Sequence, residues 1–274
     1  MIGLINEGIP SLPGLNLQIL IKEVNQFLFA SLRVGSFLLA SPLFGAQFVI
    51  LPVRILVAVV LTITVVSLNP YIPEIPVISS INGVVIAATE LVIGISAGLV
   101  LTIIFAAAML AGEKIAGSSG LSMATAVDPI SGSSSPVMAQ ILNLFLLVIF
   151  VSLDGHLAVI RTIIDSYIFL PIGHLPNGER IITAGISSAG LMFKMATVIM
   201  LPTVIVLLLA NVAVGVISRS APTLNMFSFA FPVTMLTVFL LMYLTLSILG
   251  SSLSNLAGEA IFFMQNLIES IQYG

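Results

Sequence analysis

The sequence predicts an all-α integral membrane protein of about six apolar helices, several of them broken by proline or glycine and arranged as helical hairpins. Three observations carry this expectation. Of 274 residues, 59% are hydrophobic and 7% charged, against roughly a quarter charged in soluble domains, so the chain has too little polar surface to cover a water-soluble globule. The mean hydropathy is +1.24. The apolar residues fall in long runs separated by Pro, Gly, Ser and Asn, and those runs approach or exceed the ~20 residues needed to cross a ~30 Å hydrocarbon core.

Taken in order, the first run, Leu17 to Ala40, has the length of one span and carries Lys22 and Glu23 near its start and Arg33 well inside; it stops at Ser41-Pro42. A loop from Leu43 to Pro52 leads into Val53 to Leu68, apolar apart from Arg54 and a few residues short of a full span, which ends at Asn69-Pro70. Three prolines then stiffen the connection to Gly83 to Leu110, a long run whose one charge is Glu90. Val137 to Leu153 is uncharged and continues through Asp154-Gly155-His156 into Leu157 to Ile164. Gly155 marks a helix break or kink there. Ile181 to Val216, 36 residues, would reach about 54 Å as a helix. That exceeds the hydrocarbon core, and Pro202 is the expected break, because it removes a backbone donor and crowds the preceding turn. The last run, Pro232 to Leu256, is uncharged, and Glu259 to Gln272 alternates at helical spacing.

Between the third and fourth runs lies Gly112 to Pro136, with four glycines, seven serines and two prolines. That composition predicts loop, turns or extended backbone. Its middle, however, is apolar: Leu121, Met123, Ala124, Ala126, Val127 and Ile130. Irregular backbone at membrane depth survives only where protein covers it or where it lines a cavity, so the stretch is a candidate pore element.

Composition also excludes function classes. The net charge is −3 and the eight Lys and Arg are scattered singly, so no basic stripe exists for nucleic acid, which is not expected as a partner. Without cysteine, disulfides, thiolate metal centres and a cysteine nucleophile are ruled out. His156 and His174 build no metal site without carboxylate help, and no cofactor or metal is expected. The first sixteen residues lack Lys and Arg and contain Pro10 and Pro13, unlike a cleaved signal, so Met1 is expected to stay. Basic residues distribute evenly enough that no membrane orientation follows from them.

Arg33, Glu90 and Lys194 are charges inside long apolar runs, each costing at least ~2.5 kcal/mol at a bilayer centre unless paired or wetted. With Arg54 they are candidates for buried pairing. An ion or proton relay of a secondary transporter is the rival reading, and it is thin, since no second carboxylate stands three or four residues away. Gly117-Ser118-Ser119-Gly120 fits the GxSG pattern of rhomboid-type intramembrane proteases, with Ser119 as nucleophile and a histidine on a later helix as base, but nothing places His156, beside Asp154 at a helix interruption, opposite Ser119. Four-residue Gly/Ser patterns are common by chance, and a Gly/Ser turn explains it as well. Asp128-Pro129 is foremost a turn former. Of the eleven methionines, those at helical spacing are ordinary core, while Met123 stands in the loop.

Taken together, Arg33-Val-Gly, Ser41-Pro-Leu-Phe-Gly45, Leu51-Pro-Val-Arg54, Gly112-Glu113, Gly120-Leu-Ser-Met-Ala-Thr-Ala-Val-Asp128-Pro129, Asp154-Gly-His156 with Ser166, Leu170-Pro-Ile-Gly173, Arg219-Ser-Ala-Pro-Thr-Leu-Asn225-Met-Phe and Phe231-Pro232 resemble the FliR family of flagellar export-gate proteins. The likeness runs from about Leu17 to Leu256. It implies a non-enzymatic structural and gating subunit of the bacterial flagellar type III export apparatus, in the inner membrane at the flagellar basal body, whose relatives also serve injectisomes. The implied partners are FliP-type, FliQ-type, FlhB-type and FlhA-type proteins, exported unfolded flagellar proteins and membrane lipid. The resemblance further implies a FliP-like portion over 1–180, with a central pore loop at 112–136, and a FliQ-like hairpin with a C-terminal helix over 181–274. Its plug would fall on Gly120 to Pro136, with Gly120, Leu121, Met123, Ala126, Val127, Asp128 and Pro129 as candidates. Met123 replaces a frequent aromatic, Ala126 a bulkier residue, and Asp154 a frequent Asn.

Overall fold

The structure, a computed structural model, describes residues 17–46, 49–68, 78, 80–121, 136–220 and 226–272, the side chains of 17–19 and 226–230 excepted. Among them are eight helices and no strand: α1 (Leu17–Ala40), α2 (Leu51–Leu68), α3 (Ile81–Ser119), α4 (Val137–Ser152), α5 (Gly155–Phe169), α6 (Gly178–Ser220), α7 (Met226–Leu244) and α8 (Leu246–Gln272). Four of these, α2, α3, α6 and α8, are long and apolar enough to cross a membrane, or five spans if the α4–α5 pair, bent by 68°, counts as one. The protein is an all-helical membrane protein.

Helix ends follow local chemistry. Pro52 enters α2 in its first turn, where a missing N–H costs no bond. Ser80 caps α3, its hydroxyl accepting from the Gly83 N–H at 3.0 Å, and Asn177 Oδ1 does the same for α6, accepting from the Arg180 N–H at 3.3 Å. Glu179 and Arg219 occupy the first and last turns of α6, each with the sign the helix dipole favours. The sequence run Pro232 to Leu256 divides at Thr245 between α7 and α8, and Glu259 to Gln272 is helical as part of α8.

Two expectations are overturned. Gly112 to Ser119 is not loop but the last two turns of α3, and helix ends only at Gly120, whose φ is +79°. Packing overrides propensity here: a Cβ on Gly112 would collide with the backbone of Ala139 and Met138 in α4, so glycine is what lets the two helices touch. The serines fold back on their own helix, Ser118 Oγ donating to Lys114 O at 2.9 Å and Ser119 Oγ to Ala116 O at 3.0 Å. Pro202 does not break its helix either, and α6 runs through it for 43 residues. One lost bond at Val198 O costs less than opening a whole turn of backbone in apolar surroundings.

The core is arranged around α3. In its most apolar stretch 61% of residues are buried, against 11% for α2 and 22% for α6, so α2 and α6 turn apolar faces outward while α3 is sheathed by α1, α4, α6, α7 and α8. α1 runs parallel to α3, since Arg33 meets Glu90, Ser36 meets Gly94 and Ala40 meets Gly98 in step. The two backbones nearly touch at Gly94 and Gly98, where any Cβ would strike Arg33 O, Phe37 O or Ala40. α4 runs back along α3, with Phe105 and Phe150 edge to face at 5.1 Å.

Candidate functional site

Polar side chains from other helices meet the carbonyl ends of helices, most fully at two places. The first surrounds Arg33, which is 0% exposed, as is Glu90. Its Nε donates to Glu90 Oε2 at 2.7 Å and Nη2 to Glu90 Oε1 at 3.1 Å, a two-point fork. The second Nη2 proton goes to Leu170 O at 2.9 Å, and Nη1 donates to both Ser166 O and Ser166 Oγ at 3.1 Å. All five guanidinium donors are therefore used. The group also lies over the Tyr167 ring, 4.2 Å from its centroid, and Tyr167 OH donates to Ala30 O at 2.7 Å.

Helix α5 explains why the hub stands here. The Leu170 N–H already bonds Ser166 O at 2.8 Å, the carbonyls beyond it are those that a helix end leaves without intrahelical donors, and a cation at that end is favoured by the helix dipole. Arg33 from α1 fills this role, while Glu90 from α3 balances its charge. Gly173, at φ +96°, turns its amide toward the Glu90 carboxylate; a side chain there would be strained. The hub thus welds α1, α3 and the end of α5 together. Saturated and closed to solvent, it has no free donor with which to pass a proton on.

The second place is the end of α3. Ser118 O accepts from Asn211 Nδ2 of α6 at 2.8 Å, and Ser119 O from Thr234 Oγ1 of α7 at 3.0 Å. The end of α1 is treated alike, Thr102 Oγ1 of α3 donating to Ala40 O at 2.6 Å. In each case a side chain from another helix bonds a carbonyl in the last turn of its neighbour, at an exposed position for Ser118 O and a buried one for Ser119 O.

The remaining candidates scatter. Arg54 Nη2 donates to Ala46 O at 2.6 Å, and its buried Nε has no partner among the described residues. Lys194 is exposed on α6 and makes no ion pair among the described residues. Ser119 is 1% exposed with its hydroxyl engaged by Ala116 O, an environment unlike that of a nucleophile beside a base. Gly155 opens α5, and the turn itself is made by Asp154 at φ 55°. Leu121 packs on the core cluster. Met123, Ala126, Val127, Asp128 and Pro129 lie outside the described residues.

Residues 24–260 match the family model of bacterial export proteins, family 1. The chain belongs to that family. It is 30% identical to the flagellar biosynthetic protein FliR of Pectobacterium carotovorum subsp. carotovorum over 253 residues, 92% of this chain and 96% of that one. Against FliR of Escherichia coli strain K12 the identity is also 30%, over 250 residues, 90% and 94% of the two chains. A surface presentation of antigens protein, SpaR of Shigella flexneri, is 27% identical over 175 residues, 64% of this chain and 68% of that one. For a FliR-family export protein, the three capped helix ends matter as supports of the central helix. Asn211, Thr234, Thr102 and Tyr167 escape a reading that weighs only charges inside apolar runs, whereas Ser166 is among the residues that carry the resemblance. An uncharged polar residue in such a run, as Asn211 is in Ile181 to Val216, is the signal that finds the first of them.

Proposed function

We propose that the protein is a structural and gating subunit of the bacterial flagellar type III export gate, acting in the inner membrane at the flagellar basal body. It assembles with FliP-type and FliQ-type subunits, beside FlhB-type and FlhA-type proteins, around a path for unfolded flagellar proteins. The observation that carries this reading is the match of nearly the whole chain to export proteins, with FliR-named relatives covered almost end to end. The largely uncovered apolar faces of α2 and α6 support a subunit packed among neighbours. A FliP-like portion over 1–180 and a FliQ-like portion over 181–274 are part of the proposal. Its support is that the Asn177 N–H reaches Ile271 O at 3.5 Å, so α6 and the α7–α8 arm run as a hairpin.

The gate element is the stretch beginning at Gly120 and running to Pro136, with Leu121, Met123, Ala126 and Val127 as its apolar constriction and Asp128-Pro129 as its turn. A closed gate must exclude water yet yield to a polypeptide; apolar side chains on glycine-flanked backbone meet both needs. The test is co-purification with FliP-type and FliQ-type subunits, followed by ion flux through the assembled complex. Deleting Met123 to Ser133 is expected to leave the complex assembled and to raise small-ion leakage. Failure to co-purify would remove the assembly reading, and an intact complex without leak would move the plug elsewhere.

A further inference from the structure

We infer that Asn211 and Thr234 form a releasable two-point clasp that fixes the end of the central helix to the C-terminal helices, making them positioning residues for the turn at Gly120. The observation is the pair of bonds from two different helices to two successive carbonyls, Ser118 O and Ser119 O. Those carbonyls belong to the last turn of α3.

The two bonds are unequal in kind. Asn211 Nδ2 has Ser118 O at 2.8 Å on the open side of the joint. Thr234 is buried, 6% exposed, and its single hydroxyl proton stands 3.0 Å from Ser119 O and also 3.0 Å from Phe231 O in its own helix. When Ser119 moves away, that proton falls to Phe231 O, so Thr234 is never orphaned. Letting go therefore carries no desolvation penalty for the donor. Directly beyond the clasp stands Gly120 at φ +79°, where a Cβ would lie in van der Waals contact with the Phe231 ring at 3.5 Å. The left-handed turn sends the chain off the helix axis immediately after the fixed carbonyls. A clamp followed at once by a glycine pivot localises motion to one residue.

The hub at Arg33 does not enter this joint, so the clasp can be loosened while the hub stays intact. In the assembled complex, Asn211→Leu and Thr234→Val remove the donors at nearly constant volume, and Thr234→Ser keeps the hydroxyl. Hydrogen exchange of the amides from Gly117 to Leu121 is expected to speed up roughly fivefold in each single variant and by more in the double. Phe29 to Phe37 in α1 should stay as in the parent, and Thr234→Ser should match the parent throughout. Unchanged exchange from Gly117 to Leu121 in Thr234→Val and Asn211→Leu overturns the clasp, as does an equal acceleration in α1, which would mean general loosening. If the double variant fails to assemble, the single variants carry the same comparison.

The functional consequence rests on the gate reading, and the two fail separately. Faster exchange with added ion leakage supports both. Faster exchange without leakage, in a complex that does leak on deletion of Met123 to Ser133, upholds the clasp as an anchor but overturns its positioning role. No leak from either change removes the gate reading and leaves the exchange result to decide the clasp.

Discussion

Arg33 and Glu90 meet edge to edge, Nε to Oε2 at 2.7 Å and Nη2 to Oε1 at 3.1 Å, with neither side chain exposed. Because the guanidinium also holds Ser166 O and Leu170 O, removing either partner has different effects. Glu90→Gln leaves the cation without its counter-charge, and Arg33→Leu strands a carboxylate together with the end of α5. Each is expected to cost about 3–5 kcal/mol, read as lost thermal stability and lower yield of assembled complex. The pair Arg33→Met with Glu90→Leu should recover part of the loss, since no charge is left buried, but not the capping of α5. If Arg33→Leu instead assembled normally and stopped export alone, a relay role for the pair would be favoured over a structural one.

The exposed pair Arg161 and Asp165 on α5 is the internal comparison. Nε and Oδ2 are 3.5 Å apart, with Arg161 85% exposed, and such a pair is worth little in stability. Asp165→Asn should change the melting temperature of the complex negligibly. A loss comparable to that of Glu90→Gln would show that this face is covered by a neighbouring subunit in the assembly.

These two pairs mark how far the sequence could be read. Helix existence was legible wherever an apolar run was long, because hydrophobicity decides it, and Leu17–Ala40 ends where the run ends. The need of Arg33 and Glu90 for partners follows from the cost of a charge among apolar residues. That three of the five donors of Arg33 go to the end of α5 does not follow, since it depends on where α5 stops in space. Gly112 to Ser119 misled for a related reason: glycine and serine are poor helix residues alone, yet here a helix neighbour needs the room that glycine leaves. Pro202 misled because in an apolar setting the alternative to a strained helix is open backbone, which is worse.

The α1–α3 contact supplies a third prediction. A Cβ at Gly94 would overlap Ser36 Oγ and Arg33 O, whereas a Cβ at Gly35 meets nothing within 4 Å. Gly94→Val must push α1 away and so pull Arg33 from its partners; a loss of several kcal/mol is expected, at the upper end of overpacking costs of about 1–3 kcal/mol. Gly35→Ala should be neutral or slightly stabilising, as an alanine in a helix interior gains about 0.5–1 kcal/mol over glycine. Complex yield and melting temperature of the two variants, side by side, test this. Equal tolerance of both would mean α1 is not held in close contact.

The bend between α4 and α5 gives the last prediction. Asp154 is the one non-glycine residue with positive φ among the described residues, at φ 55° and ψ 22°. Its N–H is bonded to Val151 O at 3.1 Å and its carbonyl accepts from the N–H groups of Leu157 and Ala158, so the chain enters α5 directly from the turn. Asp and Asn tolerate this left-handed conformation better than other side chains, and β-branched residues tolerate it worst. Gly155 cannot share the burden, because a Cβ there would press on the Phe150 ring and Phe150 O. Asp154→Asn should therefore be neutral and Asp154→Gly neutral or slightly stabilising. Asp154→Val should cost about 1–2 kcal/mol and Gly155→Val more, through the packing of Phe150 on Phe105 of α3. The order Asn, Gly, Val in melting temperature of the assembled complex is the diagnostic. If Val were as stable as Asn, backbone conformation would not be what holds the 68° bend, and contacts of α5 with α8 would have to hold it instead.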